Sequence, residues 1–355
     1  MGKHGRFLRF ERPPLITGSA AVVGGKEGDG PLSHTFDIIN GDAYFGEKTW
    51  EKAESRMMRE ASFLAMSKAK LAPSEVDVAL AGDLVNQCTP STFGLVEFGI
   101  PYVGLFGACS TFAESLALGA LMLDGGYAET ALCVTSSHFS TAERQFRFPL
   151  AYGAQRPPTA QWTVTGSGAM VVQRHDCSPL AQPDGEALRP VRIRGALFGT
   201  PVDMGITDAN NMGAAMAPAA CDSLKRFFRD AGMAATDFDL IATGDLGAVG
   251  AAIVADLMAR DGMPLEDVYD DCGLMIFDRA EQDVDAGASG CGCSAVVTCG
   301  HLLNQLQRGK LNNLLLVGTG ALMSPVSFQQ GDSIVGIAHC VWLEGGEYGS
   351  ADNRQ

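Results

Sequence analysis

The sequence holds no apolar run close to the 18 or so residues that span a bilayer, and no transmembrane segment is expected. Bases are scarce, with 26 against 41 acids and a net charge of −15. That argues against a general nucleic-acid binder, whose footprint is a basic surface. Charged residues make up 19% and aromatic residues 8%, against 46% hydrophobic residues, which excludes wholesale disorder and supports a sizeable core. The first dozen residues, Met1 to Arg12, are basic but lack an apolar stretch, so no secretory signal is predicted. Arg6 stands where N-myristoylation needs Ser or Thr. Ten cysteines in that setting read as reduced thiols of a cytosolic protein.

What is present is regular. At 355 residues the chain is long enough for about two domains or one duplicated unit. Short apolar strands alternate with helical patterns, an α/β signature. Residues 55–70 read as an amphipathic helix and 76–81 as a buried strand. Residues 111–123 read as an apolar helix stopped by Asp124-Gly125-Gly126, and 130–135 as the next strand. Segment 76–84 resembles 238–246 at an offset of 162, and both end in Gly-Asp-Leu. A second match, at an offset of 184, pairs Cys109 with Cys293, Leu118 with Leu302, Gly125 with Gly309 and Thr135 with Thr319. The offsets differ by 22 residues, which places an insertion within 247–288. The reading is two copies of one βαβ-rich unit, halves 1–180 and 181–355, joined near the proline-containing stretch 177–190. Cys109 and Cys293 should then begin equivalent, centrally buried helices.

Gly107-Ala108-Cys109-Ser110 is the sharpest local signal. Small residues make a tight turn and set the cysteine in the first turn of a helix, where backbone N–H groups and the positive dipole end favour a thiolate. Such a thiolate is a nucleophile; the alternative is a small buried thiol in a tight turn. Gly-Ala-Cys-Ser before an apolar helix resembles the nucleophile region of the thiolase and ketoacyl-synthase superfamily. Segments 163–172 and 318–325 resemble its glycine-bearing strand and its C-terminal glycine-rich loop. The resemblance implies a five-layered αβαβα fold of two duplicated halves. It also implies that His/Asn or His/His partners would polarise a thioester from loops 243–247 and 283–294. Neither loop contains His or Asn; His301 and His339 fall elsewhere. A binding site on an enzyme fold, rather than an enzyme, is the expectation.

Segments beginning at Ala81, Gly107, Val134, Ser289 and Gly336 together resemble the stage V sporulation protein AD (SpoVAD) family. That resemblance implies binding of dipicolinic acid, or its calcium chelate, for uptake into the developing spore. It implies partners from the same sporulation operon at the inner spore membrane, with peripheral attachment through them, and it allows a homodimer. The ligand-binding candidates are Cys109, Ser110, Ser136, Ser137, His138, Arg144, Arg147, Asp245, Cys291 and Cys293. Two helix N-termini, at Cys109 and Cys293, would each offer N–H groups to one carboxylate, with Arg144 or Arg147 adding a bidentate contact. Arg156 flanks the same segment, and His138 by itself reads more readily as a loop hydrogen-bonder. Cys291, Cys293, Cys299 and His301 look like a metal cluster, but Cys299 and His301 lie about 200° apart on a regular helix, so neither a metal nor a cofactor is expected. Two other readings stay open: an active thiolase or ketoacyl-synthase-type acyltransferase using Cys109, and a structural membrane-complex component with a vestigial pocket.

Overall fold

The computed structural model describes residues 7–146, 156–177 and 188–346. In the first half, β1 (Leu15–Gly24) is followed by α1 (Trp50–Lys68), β2 (Val78–Gly82), β3 (Tyr102–Gly104), α2 (Thr111–Asp124), β4 (Thr130–Ser137), α3 (Phe139–Phe146) and β5 (Gly166–Gln173). In the second, β6 (Val191–Leu197) is followed by α4 (Met212–Ala231), β7 (Leu240–Thr243), α5 (Gly247–Arg260), β8 (Tyr269–Asp271), α6 (Cys291–Val296), β9 (Asn313–Leu322) and β10 (Val335–Gly345). The predicted helices and strands are all present, with ends shifted by a few residues. β1, β2 and β4 are buried at every residue, as strands covered on both faces must be.

The strand order is β8-β7-β9-β10-β6-β1-β5-β4-β2-β3. Read outward from the centre, the two halves repeat the same order, which is the duplication seen in the sequence. The inner strands β1 and β6 pair antiparallel through Leu15 with Arg192 and Ile16 with Val191, so the half-sheets join into one. Pairing two inner edges leaves no unpaired backbone between the halves. Helix α1 covers the outer face of the first half, and α4 covers that of the second. α2 and α6 form the middle layer, α2 packing on strands of both halves and α6 on β1, β4 and β5, giving the five layers. Helix α6 continues through a π-helical turn, Val297–Leu302, into Leu303–Gln307.

Most of the insertion falls between β8 and α6, in residues 272–287, where Gln282 bonds back to Lys26 of the first half. The stretch 318–325, expected as a loop, is mainly strand. Gly318 and Gly320 lie inside β9, where a Cβ would come within 2.5 Å of Ala113 Cβ and of the Gly107 carbonyl oxygen respectively. These glycines let the start of α2 rest on the strand. The joint near 177–190 lies largely outside the described residues.

Candidate functional site

Cys109 is set by a turn that closes on itself. The Gly107 amide donates to Thr111 Oγ1 at 3.0 Å, Ser110 Oγ donates to the Gly107 carbonyl at 2.6 Å, and Thr111 Oγ1 donates to the Ala108 carbonyl at 2.6 Å. Ala108 takes φ +50°, a conformation unusual for a residue with a Cβ, and the turn hands the chain to α2. Ser110 is buried, and its hydroxyl proton is spent inside this turn.

In front of Cys109 lies a cavity of about 40 Å³, room for a few waters as it stands. Its wall is mainly apolar, with Leu84, Phe106, Phe146, Met212 and Met323 beside Cys109. Thr163, Ser289 and Glu143 add polar atoms. Among the described residues, neither a histidine nor an asparagine lines it.

Asp245 sits behind the thiol. Its Oδ2 accepts from the Gly290 amide at 2.9 Å, and its Oδ1 accepts from Thr319 Oγ1 at 2.8 Å. The carboxyl is within hydrogen-bonding reach of the Cys109 thiol, and burial raises it to about 6. Asp271 supports the same loop: Oδ2 accepts from the Leu246 amide and Thr243 Oγ1, and Oδ1 from the Gly247 and Gly273 amides. Burial raises Asp271 to about 7. Cys291 packs with Cys109, Leu84 and Ala142, and its thiol donates to the Ser136 carbonyl at 3.0 Å.

This geometry bears on three of the sequence readings. Burial first, then the Asp245 carboxylate and Cys291, push the Cys109 thiol well above its ordinary value, against the thiolate reading. Desolvation and like charge outweigh the dipole of the helix start. The second helix N-terminus is not open to a ligand either, because Asp245 takes the Gly290 amide and Ser137 Oγ takes the Gly292 amide at 3.1 Å. Of the two candidate thiols Cys291 and Cys293, Cys291 packs beside Cys109, and Cys293 is buried in the central hydrophobic cluster.

The remaining candidates disperse. Ser136 Oγ points to the outer layer and donates to Glu54 Oε1 at 3.0 Å. Ser137 Oγ donates to the Val164 carbonyl at 2.7 Å. His138 is a loop residue, its Nε2 2.8 Å from the Ala43 carbonyl oxygen and its Nδ1 accepting from the Ser140 amide. Arg144 turns away, ion-paired with Glu51 and lying over the Trp50 ring. Arg156 lies over the Trp162 ring and donates to the Asp283 carbonyl. Arg147 lies outside the described residues. His339 accepts from the Gly199 amide, and burial lowers it to about 4.

Sequence reasoning missed Asp271 and the apolar wall. Asp271 ends an otherwise unremarked short strand, and wall residues such as Phe106 and Met212 belong to no motif. Asp83, the repeat partner of Asp245, carried a signal in the shared Gly-Asp-Leu.

The architecture matches that of condensing enzymes. It is similar to 3-oxoacyl-[acyl-carrier-protein] synthase III from Aquifex aeolicus, with a TM-score of 0.56 at 13% identity over 93% of this chain and 99% of that one. It is also similar to human mitochondrial 3-ketoacyl-CoA thiolase, with a TM-score of 0.57 at 14% identity over 95% and 100%. These likenesses define the fold class as thiolase-like. Residues 4–344 match the stage V sporulation protein AD (SpoVAD) family. The stage V sporulation protein AD of Bacillus subtilis strain 168 is 45% identical over 335 residues, covering 94% of this chain and 95% of the relative. The chain belongs to the SpoVAD family of sporulation proteins.

Proposed function

We propose that this chain binds dipicolinic acid, free or as its calcium chelate, in the Cys109 cavity and supports its uptake into the developing spore without condensing chemistry. The observation that carries the reading is the company Cys109 keeps. A condensing enzyme needs neutral or cationic donors to receive the oxyanion of a thioester, each worth on the order of 10² to 10⁴ in rate. Here the group behind the thiol is the Asp245 carboxyl, buried and hydrogen-bonded in place, and the thiol is held protonated. The apolar wall suits a flat ring, and the N–H groups at the start of α2 suit one carboxylate. The second carboxylate falls to calcium or to a cation such as Arg147.

Calorimetry of the protein with dipicolinate, with and without calcium, tests the reading. Saturable heat that disappears in Cys109→Trp supports it, and wild-type binding by a folded Cys109→Trp protein places the site elsewhere. One observation favours a second reading, an acyltransferase: Cys109 stands at a helix start and opens onto a cavity. Incubation with acetyl- or malonyl-CoA followed by intact-mass measurement separates the two. An acyl adduct absent from Cys109→Ala would establish the second. Membrane association is proposed to be peripheral and to run through partners of the same sporulation operon. No helix among the described residues is long and apolar enough to cross a membrane, and an acidic chain is not drawn to anionic lipid. Flotation of the purified protein alone with anionic liposomes at physiological salt would contradict partner dependence.

A further inference from the structure

We propose that Phe106 is the gate of the Cys109 cavity and sets the size of ligand it takes. With the ring turned outward, the cavity joins an outer groove over Asn86, Gln87 and Cys88, and the ligand occupies both. The inference rests on the reading of the cavity as the dipicolinate site. At about 40 Å³ the closed cavity is several-fold below the roughly 300–1,000 Å³ of a small-molecule site. A groove of about 480 Å³ adjoins it, lined by Asn86, Gln87, Cys88 and Phe106. Phe106 belongs to both walls, so its ring is the partition between them.

The ring is free to move where the rest of the wall is not. Among the residues that line the cavity, Phe106 is the exposed one, at 46%, and the others are buried or half-buried. Leu84 and Ala142 pack with Cys109 and Cys291, and Phe146 packs against them. Met323 belongs to the core of the second half, and Met212 packs against it. Phe106 belongs to none of the hydrophobic clusters, so moving it gives up little buried apolar area. Its backbone is fixed on both sides. The Leu105 amide donates to the Ala81 carbonyl at 2.8 Å, and the Leu105 carbonyl accepts from the Cys88 thiol at 3.3 Å. Gly107 is held in the Cys109 turn. Opening is then a rotamer change of one side chain while the loop stands still.

A pyridine ring matches the phenyl ring it displaces in size and flatness. With the ligand's ring in that place, one carboxylate meets the start of α2, and the other, alone or with its calcium, lies in the groove. Asn86 is already engaged there: its amide donates to Gln145 Oε1 at 3.0 Å, and its Oδ1 accepts from Gln145 Nε2 at 3.3 Å. The Gln87 side chain has no hydrogen-bond partner among the described residues. It serves either form of the ligand, because Nε2 donates to a carboxylate and Oε1 is an oxygen ligand for calcium.

Two readouts on the full chain test the gate, and the first needs no ligand. Cys109 is alkylated with N-methylmaleimide and with N-phenylmaleimide, and the adducts are mapped by peptide mass spectrometry. The ratio of the two rates reads access, since the acidity of the thiol cancels. Phe106→Ala should raise the phenyl-to-methyl ratio at Cys109 about tenfold and leave the ratio at Cys177 unchanged. An unchanged ratio at Cys109 overturns the proposal. The second readout is dipicolinate binding, with and without calcium, by stopped-flow fluorescence and calorimetry. Phe106→Ala should associate about tenfold faster, and Gln87→Ala should bind at least one form about tenfold more weakly. Association at the wild-type rate in Phe106→Ala, or wild-type affinity for both forms in Gln87→Ala, overturns it. So does a Phe106→Ala protein as destabilised as Phe112→Ala, a core variant, because the ring would not be free. If wild type binds neither form, the ligand reading falls, and the maleimide ratio still decides the gate.

Discussion

Asp83 and Asp245 occupy the same place in the two halves, each inside Gly-Asp-Leu after an equivalent strand. Asp83 spends its oxygens within its own half, on Val85 and Ser91. Asp245 reaches the amide ahead of α6 and the Thr319 hydroxyl, and stands by the Cys109 thiol of the other half. A second asymmetry accompanies this one. Where the start of α2 rests on β9, the strand supplies glycines, Gly318 and Gly320; where the start of α6 rests on β4, the helix supplies Gly292, and the strand keeps Ser136 and Ser137. Duplication built two similar crossings, and opposite placement of small and polar residues made one a cavity and the other a filled joint.

The largest expected effect lies on the open side. Cys109→Trp should abolish dipicolinate binding in a folded protein, since the indole would occupy the space in front of residue 109 that the ligand needs. Circular dichroism with calorimetry checks both halves of that statement. Cys109→Ser should keep most of the binding if the residue acts through size and position.

Gly320→Val comes next. Its Cβ would lie 2.5 Å from the Gly107 carbonyl oxygen, a backbone atom with little room to move, so a loss of about 3 kcal/mol is expected in urea unfolding. Ser136→Ala, at the equivalent strand position, should cost about 1 kcal/mol through the lost bond to Glu54. Equal costs would undo the asymmetry.

Asp245→Asn sharpens the comparison chemically. It keeps a group that can bond Gly290 and Thr319 but removes the charge beside Cys109. The thiol should then alkylate with iodoacetamide about tenfold faster at pH 8. Asp83→Asn should leave that rate nearly unchanged, and a matching acceleration would show that the two acids are interchangeable.

The pH dependence follows from the raised acids. Glu27 and Asp271 sit at about 7 and Glu54 at about 8, in each case chiefly through burial. A raised carboxyl contributes stability that is present below its unfolded value and lost as pH rises through its folded value. His339, lowered to about 4, acts the other way but is spent by about pH 6.5. The melting temperature should therefore fall between pH 6.5 and 8.5. Differential scanning fluorimetry showing a flat or rising midpoint would contradict this.

The smallest effect belongs to Arg144→Ala. Its ion pair with Glu51 is exposed, worth about 1 kcal/mol or less, and its side chain faces away from the cavity. Calorimetry should find ligand affinity unchanged; a large loss would return Arg144 to the binding wall.

Periodicity, glycine stops and the two offsets are local or repetitive features, and from them the strands, the helices, the duplication and the turn that presents Cys109 were legible in the chain alone. The lack of His and Asn in loops 243–247 and 283–294 was legible for the same reason. The tertiary structure alone decided which way each side chain faces and what charge stands beside it. Ser136 and Ser137 are neighbours in sequence, yet one meets Glu54 in the outer layer and the other meets Val164 and Gly292. A strand turns alternate residues to opposite faces, and what waits on each face comes from far along the chain. Cys109 is the sharpest case. Its position in a helix start argues for a thiolate, but the thiol is held neutral by burial and by Asp245, 136 positions away in sequence. Desolvation and Coulomb interaction depend on distance through space, which the order of residues does not contain.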